Sequence, residues 1–205
     1  AYAFAETDYE ASTRELVSAE TRAGQAWHTN AKSVTRYYFT NDNSARYSCR
    51  KYSVTATEAL TLVGNYAPGE LVVNETTDED NHVVIEFADR RGNKILTRRI
   101  VNSSTYADCY YVYDNFGDLR YVLPPMLSMA LSTVGDSWTI ATDNVARYGY
   151  YYRYDDAGMC VLRKLPGRDA IIYKYDAGHR LVAEQDGNMR KQSQWLIRFY
   201  DRYGR

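Results

Sequence analysis

The residues of this chain that could do chemistry are its histidines, its cysteines and a series of spaced aspartates. His28, His82 and His179 lie far apart, and none is spaced from a cysteine or serine as a ligand set or catalytic pair would be. We therefore interpret the histidines as exposed strand or turn residues. A general acid and base pair needs two carboxylates facing each other across a cleft, and no spacing here selects such a pair.

The cysteines are three in number, Cys49, Cys109 and Cys160, and show no CxxC spacing. This pattern argues against a disulfide framework and against a zinc site, although one pair could still bridge in an exported protein. We predict no metal site, no cofactor and no catalytic residue.

The aspartates belong to a repeated sequence motif, which we call the phrase: an aromatic residue, any residue, Tyr, Asp, two further residues and Gly. Copies run from Tyr111 to Gly117, from Tyr152 to Gly158 and from Tyr173 to His179, and a fourth closes the chain at Phe199–Arg205. The Tyr-Asp tyrosines at 154 and 175 are 21 residues apart, and those at 175 and 200 are 25 apart. Repetition at such intervals indicates an array of small supersecondary units.

Each copy predicts one β-hairpin. Two aromatic residues at i and i+2 of a strand point to the same face, the Asp carboxylate can accept from backbone N–H groups two residues on, and the Gly supplies the positive φ of a short hairpin loop. Calcium ligation is the alternative, but calcium loops gather several oxygens in one short stretch, so turn formation is favoured. The predicted repeat residues are Tyr111, Tyr113, Asp114, Gly117, Tyr152, Tyr154, Asp155, Gly158, Tyr173, Tyr175, Asp176, Gly178, Tyr200, Asp201 and Gly204.

The return strands of the hairpins are predicted at Leu119–Leu123, Cys160–Leu162 and Leu181–Ala183. In the third copy Gly178 precedes His179, which predicts a turn slipped by one residue. The alternation further predicts that Tyr154 and Tyr175 lie on the same face of the sheet and are largely buried.

The composition supports a folded domain with a tyrosine-rich sheet face that is partly exposed to water. The chain has 205 residues, 45% of them hydrophobic, and a net charge of −1, which favours neither disorder nor binding to nucleic acid. Its 21 tyrosines against 5 phenylalanines indicate rings whose hydroxyls need a partner or water. No apolar run approaches the roughly 20 residues that span a bilayer, so we predict no membrane insertion.

The phrase resembles the YD repeat of the RHS (rearrangement hotspot) family, most closely at Tyr154–Gly158 and Tyr200–Arg205. Further stretches resemble the domain that precedes YD repeats in large bacterial surface proteins, closely from about Lys51 onward and more loosely before it. These stretches are Glu10–Ser12, Gly24–Trp27, Thr76–Asp78, Phe87–Gly92, Tyr111–Pro125 and Leu165–Gly167. The resemblance implies a curved wall of hairpins within a large secreted or cell-surface assembly, rather than a chemistry.

The remaining segments complete an all-β prediction: a curved array of antiparallel hairpins with one short helical insertion. We expect an irregular β segment over residues 1–50 and the hairpin array over 51–205, with turns at Tyr66–Gly69, Asp78–Asn81 and Asp89–Asn93. Gly24–Trp27 is interpreted as a turn, and Asp89 as the centre of a degenerate fifth copy.

The insertion is predicted at residues 125–131, because Pro124 and Pro125 cannot sit in a central strand and a Pro suits the first position of a helix. The chain begins without Met and ends before its last hairpin returns. These features predict a piece of a longer protein whose unpaired edge could associate with another chain.

Two surface features allow other functions. Arg90-Arg91, Arg98-Arg99 and Arg163-Lys164 with Arg168 could contact single-stranded nucleic acid, but acidic residues balance them, and we interpret these groups as solvated faces. A tyrosine-rich face could bind glycan or a partner protein, with Tyr148, Tyr150 and Tyr151 as the candidates.

We therefore expect a non-enzymatic structural segment of a YD-repeat shell, which encloses or displays a passenger or toxin module and whose main partner is the remainder of its own chain. The alternative is a carbohydrate- or protein-binding module. A hydrolase is less favoured than either.

Overall fold

The computed structural model describes residues 2–205, which form sixteen strands and four short helices. The strand pairs are antiparallel, so the predicted all-β class is confirmed. The strands are β1 (Glu6–Tyr9), β2 (Val17–Thr21), β3 (Ser33–Thr40), β4 (Arg50–Val54), β5 (Leu60–Asn65), β6 (Val72–Thr77), β7 (Val83–Ala88), β8 (Lys94–Asn102), β9 (Thr105–Tyr113), β10 (Leu119–Leu123), β11 (Ser137–Trp138), β12 (Tyr150–Tyr154), β13 (Cys160–Lys164), β14 (Ile171–Tyr175), β15 (Leu181–Gln185) and β16 (Leu196–Ile197). The helices are α1 (Gln25–Thr29), α2 (Pro125–Ala130), α3 (Asp143–Tyr148) and α4 (Gly187–Lys191).

The chain divides into two compact units built from discontinuous segments. The first unit contains the residues up to Arg50 together with Asn65–Cys109, and the second contains Lys51–Gly64 together with Tyr110–Arg205. The division predicted at residue 50 from the sequence stays a prediction, since the first unit also contains Asn65–Cys109 from beyond that position.

The sheet of the first unit follows the order β1-β2-β3-β6-β7-β8 and continues into the first residues of β9. Its core is a row of side chains paired across neighbouring strands, with Val73 opposite Phe87 and Phe87 opposite Leu96. All three are fully buried. The predicted turns at Asp78 and Asp89 join β6 to β7 and β7 to β8, as expected for hairpins.

A buried arginine lies beside this core. Arg98 is 4% exposed and donates to both oxygens of Asp108 at 2.8 and 2.7 Å, and to the backbone carbonyls of Ala45 and Arg46 at 3.0 and 2.7 Å. Its guanidinium also lies 4.7 Å from the ring centroid of Tyr106. The interpretation of Arg98 as part of a solvated face is therefore wrong, because β8 turns this side chain inward.

The hairpins predicted for the first three copies are β9–β10, β12–β13 and β14–β15, whereas the fourth copy forms a turn without flanking strands. From the end of β9 the sheet of the second unit follows the order β9-β10-β12-β13-β14-β15-β16, and the strand order does not close on itself within residues 2–205. The predicted return strands are confirmed as β10, β13 and β15. Buried tyrosines form much of the core, with the rings of Tyr121 and Tyr151 4.8 Å apart and those of Tyr52 and Tyr110 5.1 Å apart.

The helix predicted at residues 125–131 is confirmed as α2, with Pro124 as its N-cap and Pro125 as its first residue. The prediction of a single helical insertion is wrong, because α1, α3 and α4 also form among the described residues. Helix α1 occupies most of the predicted Gly24–Trp27 turn, with Gly24 at its N-cap. Helices of five or six residues show too little periodicity to be separated from turns.

Candidate functional site

The second repeat copy shows the geometry of the turn most simply. The Asp155 Oδ1 atom accepts hydrogen bonds from the backbone N–H groups of Ala157 and Met159, at 3.0 and 2.9 Å. The backbone closes the same loop, since Asp155 N–H donates to the Met159 carbonyl and Gly158 N–H donates to the Asp155 carbonyl. Gly158 has a φ of 75°, the left-handed conformation that glycine adopts most easily. The Asp thus ends one strand and fixes the start of the next.

Five other aspartates within residues 2–205 make the same turn. Each accepts from the N–H groups two and four residues on, and each exchanges backbone hydrogen bonds with the third and fourth following residues. They are Asp78, Asp89, Asp114, Asp176 and Asp201. Asp89 was predicted as a degenerate copy. Asp78 was predicted only as a loop residue, although its spacing to Asn81 carries the same signal.

The third residue after each aspartate adopts a positive φ, whether or not it is glycine. His179 has a φ of 60° and Asn81 a φ of 65°. The predicted slip of the third copy is therefore wrong: His179 takes the position of the glycine, and Gly178 instead donates its N–H to Asp176 Oδ1 at 2.8 Å. The turn tolerates a side chain here because two backbone and two side-chain hydrogen bonds hold it.

The tyrosines of the phrase connect neighbouring hairpins. The Tyr175 hydroxyl donates to the backbone carbonyl of Cys160, at 3.0 Å. In the next copy, the Tyr200 hydroxyl donates to the carbonyl of Leu181, at 2.9 Å. Cys160 and Leu181 are equivalent residues, since each lies five positions after the aspartate of the preceding copy. We call these two contacts the hydroxyl tethers. They explain why these positions carry Tyr rather than Phe.

The repeat tyrosines are only partly buried. Tyr154 and Tyr175 are half-buried and keep part of their rings exposed, so their predicted burial holds only in part. The same holds for the remaining members of the set, which are Tyr111, Tyr113, Tyr152, Tyr173 and Tyr200. Partial burial raises the pKa of Tyr175 above its usual value. A neutral hydroxyl is the state that donates to a carbonyl.

A half-buried arginine, Arg120, joins the first two copies within the second unit. Arg120 donates to Asp114 Oδ2 at 3.1 Å, to Glu58 at 3.1 Å and to the Tyr151 hydroxyl at 3.2 Å. It also donates to the backbone carbonyl of Tyr152, at 3.0 Å. Glu58 was not singled out from the sequence, and its distance along the chain from Arg120 leaves no local signal.

The three tyrosines predicted as a binding face do not form one. Tyr151 is 1% exposed and in contact with Arg120 and Tyr121, so its assignment as a ligand contact is wrong. Tyr148 ends helix α3, while Tyr150 precedes Tyr151 in β12 and therefore points to the opposite face of the sheet.

The turns of the first two copies line a cleft of about 580 Å³ that contains Asp114, Asp118, Asp155 and Asp156, together with Arg120. The Oδ1 atoms of Asp114 and Asp155 are occupied by their own turns, and Asp114 Oδ2 by Arg120. Among residues 2–205, no group of three or more His, Cys, Asp or Glu side chains is placed to hold a metal ion. The three cysteines are free thiols, and burial raises the pKa of Cys49.

Comparisons with known proteins give little more. No helix among residues 2–205 has the length and apolar character to cross a membrane. No known protein family and no curated protein matches the chain. Among solved structures, 96% of the chain is similar to part of a crystal structure of TcdB2-TccC3-TEV, with 14% sequence identity and a TM-score of 0.47. The chain spans about a tenth of that structure's length, since the match covers 10% of it.

Proposed function

We propose that this chain is a non-enzymatic structural segment of a YD-repeat shell of the RHS type, in a large exported or cell-surface protein that encloses or displays a passenger module. The support comes from the Tyr-Asp phrase and from what its residues do in the fold. The main partner in this proposal is the remainder of the same long chain.

The observation that carries the proposal is the pair of hydroxyl tethers. Tyr175 and Tyr200 each anchor their own copy to the first residue of the preceding return strand, so the contact can recur in further copies that carry Tyr at this position. A structure built in this way extends by repetition and stacks each unit on its neighbour. This favours a wall over an isolated module.

The repeat aspartates support a geometric role for a second reason. A carboxylate that accepts two backbone N–H bonds in its own turn stabilises that turn and holds the side chain in one position. The catalytic alternative would need at least one of these groups to face a substrate and exchange a proton. In all six turns the Oδ1 atom is instead committed to the backbone.

The proposal is tested on the full-length parent protein by limited proteolysis of its passenger module. The double variant Tyr175→Phe with Tyr200→Phe keeps both rings and removes both tethers. At about 1 kcal/mol for each hydrogen bond, the shell should open up to about 30-fold more often, and passenger cleavage should speed up accordingly. Tyr37→Phe is the control, because Tyr37 is 60% exposed on β3. A passenger that is cleaved as fast in the intact parent as on its own would contradict enclosure.

A further inference from the structure

A basic cleft in the second unit contains none of the repeat aspartates or repeat tyrosines. It has a volume of about 570 Å³ and is lined by Arg147, Lys164, Arg168 and Arg190, with Asp169 as the one acidic lining residue. It lies where helix α3, the loop after β13 and helix α4 meet. The four basic side chains outnumber the carboxylates beside them, which are Asp169 in the lining and Asp143 paired with Arg147. The cleft is therefore locally positive, although the whole chain is close to neutral.

Lys164 is the unusual member of this group. The sequence interpretation placed Arg163-Lys164 on a solvated face, but Lys164 is only 6% exposed. Its ammonium donates to the backbone carbonyls of Ala146 and Leu165, at 2.6 and 3.3 Å. An ammonium has three N–H donors, and in residues 2–205 no carboxylate lies within 4.0 Å of it. Burial lowers the pKa of Lys164, while the more distant Asp169 raises it.

The arginines around Lys164 keep donors for a ligand. Arg168 is exposed, and its guanidinium makes no hydrogen bond or ion pair within the described residues, since only its backbone N–H is bonded, to the Leu165 carbonyl. Arg147 uses its Nε atom for Asp143, at 2.8 Å, and Arg190 uses one Nη atom for the Ala170 carbonyl, at 2.6 Å. Each guanidinium carries five N–H donors, so most of these remain available.

The Ala146 carbonyl fixes the positions of Lys164 and of the loop after β13, both of which line the cleft. It accepts from the Lys164 ammonium and from the Gly167 N–H, at 2.6 and 3.1 Å. Gly167 has a φ of 65°, which turns the loop after β13 back toward helix α3. The ammonium and the loop that carries Arg168 are therefore fixed to the same atom, which limits the cost of ordering them around a ligand.

We propose that this cleft binds a phosphate group. Guanidinium groups bind phosphate through paired N–H donors, and a lysine adds a compact point charge. A doubly charged oxyanion gains more from four cationic groups than a single carboxylate does. The cleft volume lies within the range of small-molecule sites, about 300 to 1,000 Å³, so it can hold a phosphorylated molecule as well as the free ion.

The test is calorimetric titration of the 205-residue chain with inorganic phosphate at constant ionic strength. Arg168→Gln should weaken binding about tenfold or more, as expected for the loss of one charged hydrogen-bonding partner, and Lys164→Met should do the same. Arg163→Gln is the matched control, since Arg163 is an exposed neighbour of Lys164 on β13 that does not line the cleft. Circular dichroism confirms that each variant is folded, and Arg168 is exposed enough for its variant to keep the fold.

Saturable binding that both cleft variants weaken and the control does not would support the site. Titration with O-phosphoserine and with phosphatidylglycerol vesicles then separates two sources of the group: preference for the monoester indicates a phosphorylated soluble ligand, and preference for vesicles indicates a lipid headgroup. The proposal is overturned if phosphate shows no saturable binding, or if Arg163→Gln weakens it as much as Arg168→Gln does.

Discussion

In the turn of the first copy, the stabilising contacts of a repeat aspartate are of two kinds: backbone hydrogen bonds and an ion pair. Asp114 Oδ1 accepts from the N–H groups of Phe116 and Asp118, each at 3.0 Å, and Oδ2 accepts from Arg120 at 3.1 Å. The Asp114 and Arg120 side chains are 14% and 13% exposed, so water replaces these contacts poorly. Asp114→Asn keeps an oxygen for the two N–H groups and loses the ion pair, whereas Asp114→Ala loses every contact.

We expect Asp114→Asn to lower the free energy of unfolding by about 1 kcal/mol, in the range of a partly screened ion pair. Asp114→Ala should lower it by about 2–4 kcal/mol, because two backbone donors lose their acceptor and Arg120 keeps only Glu58 as a charged partner in the cluster. The control is Asp156→Ala, an exposed aspartate in the neighbouring turn, which should change stability by less than about 0.5 kcal/mol.

The assay is urea unfolding followed by tryptophan fluorescence, since Trp138 and Trp195 both belong to the second unit. The reasoning is refuted if Asp114→Ala is no more destabilising than Asp156→Ala. Equal losses for Asp114→Ala and Asp114→Asn would show that the ion pair, and not the turn, provides the stability.

Three further predictions concern buried polar groups. Arg98→Ala should cost about 3–5 kcal/mol, because it leaves Asp108 without its charged partner, while the exposed neighbour Arg99→Ala should be nearly neutral in the same urea experiment. Tyr151→Ala should cost about 3–5 kcal/mol, as for other fully buried rings, and a melting temperature that does not change would contradict the packing of this ring. Burial raises the pKa of Tyr66 from 10.0 to about 12, so its contribution to stability is complete below pH 10.0 and is lost as the pH rises through about 12. Between pH 10 and about pH 12, the stability of Tyr66→Phe, measured by circular dichroism, should therefore fall less steeply with pH than that of the unchanged protein.

The local parts of the fold could be predicted from the sequence. The turns depend on an aspartate and a residue three positions later, and all of their hydrogen bonds lie within five residues. The alternating return strands and the helix that begins at Pro125 are equally local. These elements follow from short-range backbone chemistry, which a single sequence contains in full.

The non-local parts could not be predicted. The Lys51–Gly64 segment joins the second unit, and β5 within it pairs with the two-residue strand β11, more than 70 positions later in the chain. Nothing in the local pattern of β5 specifies that partner. Similarly, the alternation of Tyr150 and Tyr151 requires them to face opposite sides but does not say which side is the core.

Basic residues were the least predictable part of the candidate sites. Arg98 and Lys164 each stand beside an exposed basic neighbour, and only the tertiary structure places backbone carbonyls where their donors can reach them. The hydroxyl tethers were missed for a related reason. The excess of Tyr over Phe indicated that partners exist, but the accepting carbonyls belong to a different hairpin.

The central claim is that the repeated phrase builds a wall in a larger protein. Its most direct test is a cryo-electron microscopy structure of the full-length parent. The account predicts that β12–β16 form part of a continuous sheet around or beneath a separate module, with the Tyr175 hydroxyl within hydrogen-bond distance of the Cys160 carbonyl. A chain that stands apart from the rest of the protein, with its repeat aspartates gathered around a bound ion or substrate, would contradict it.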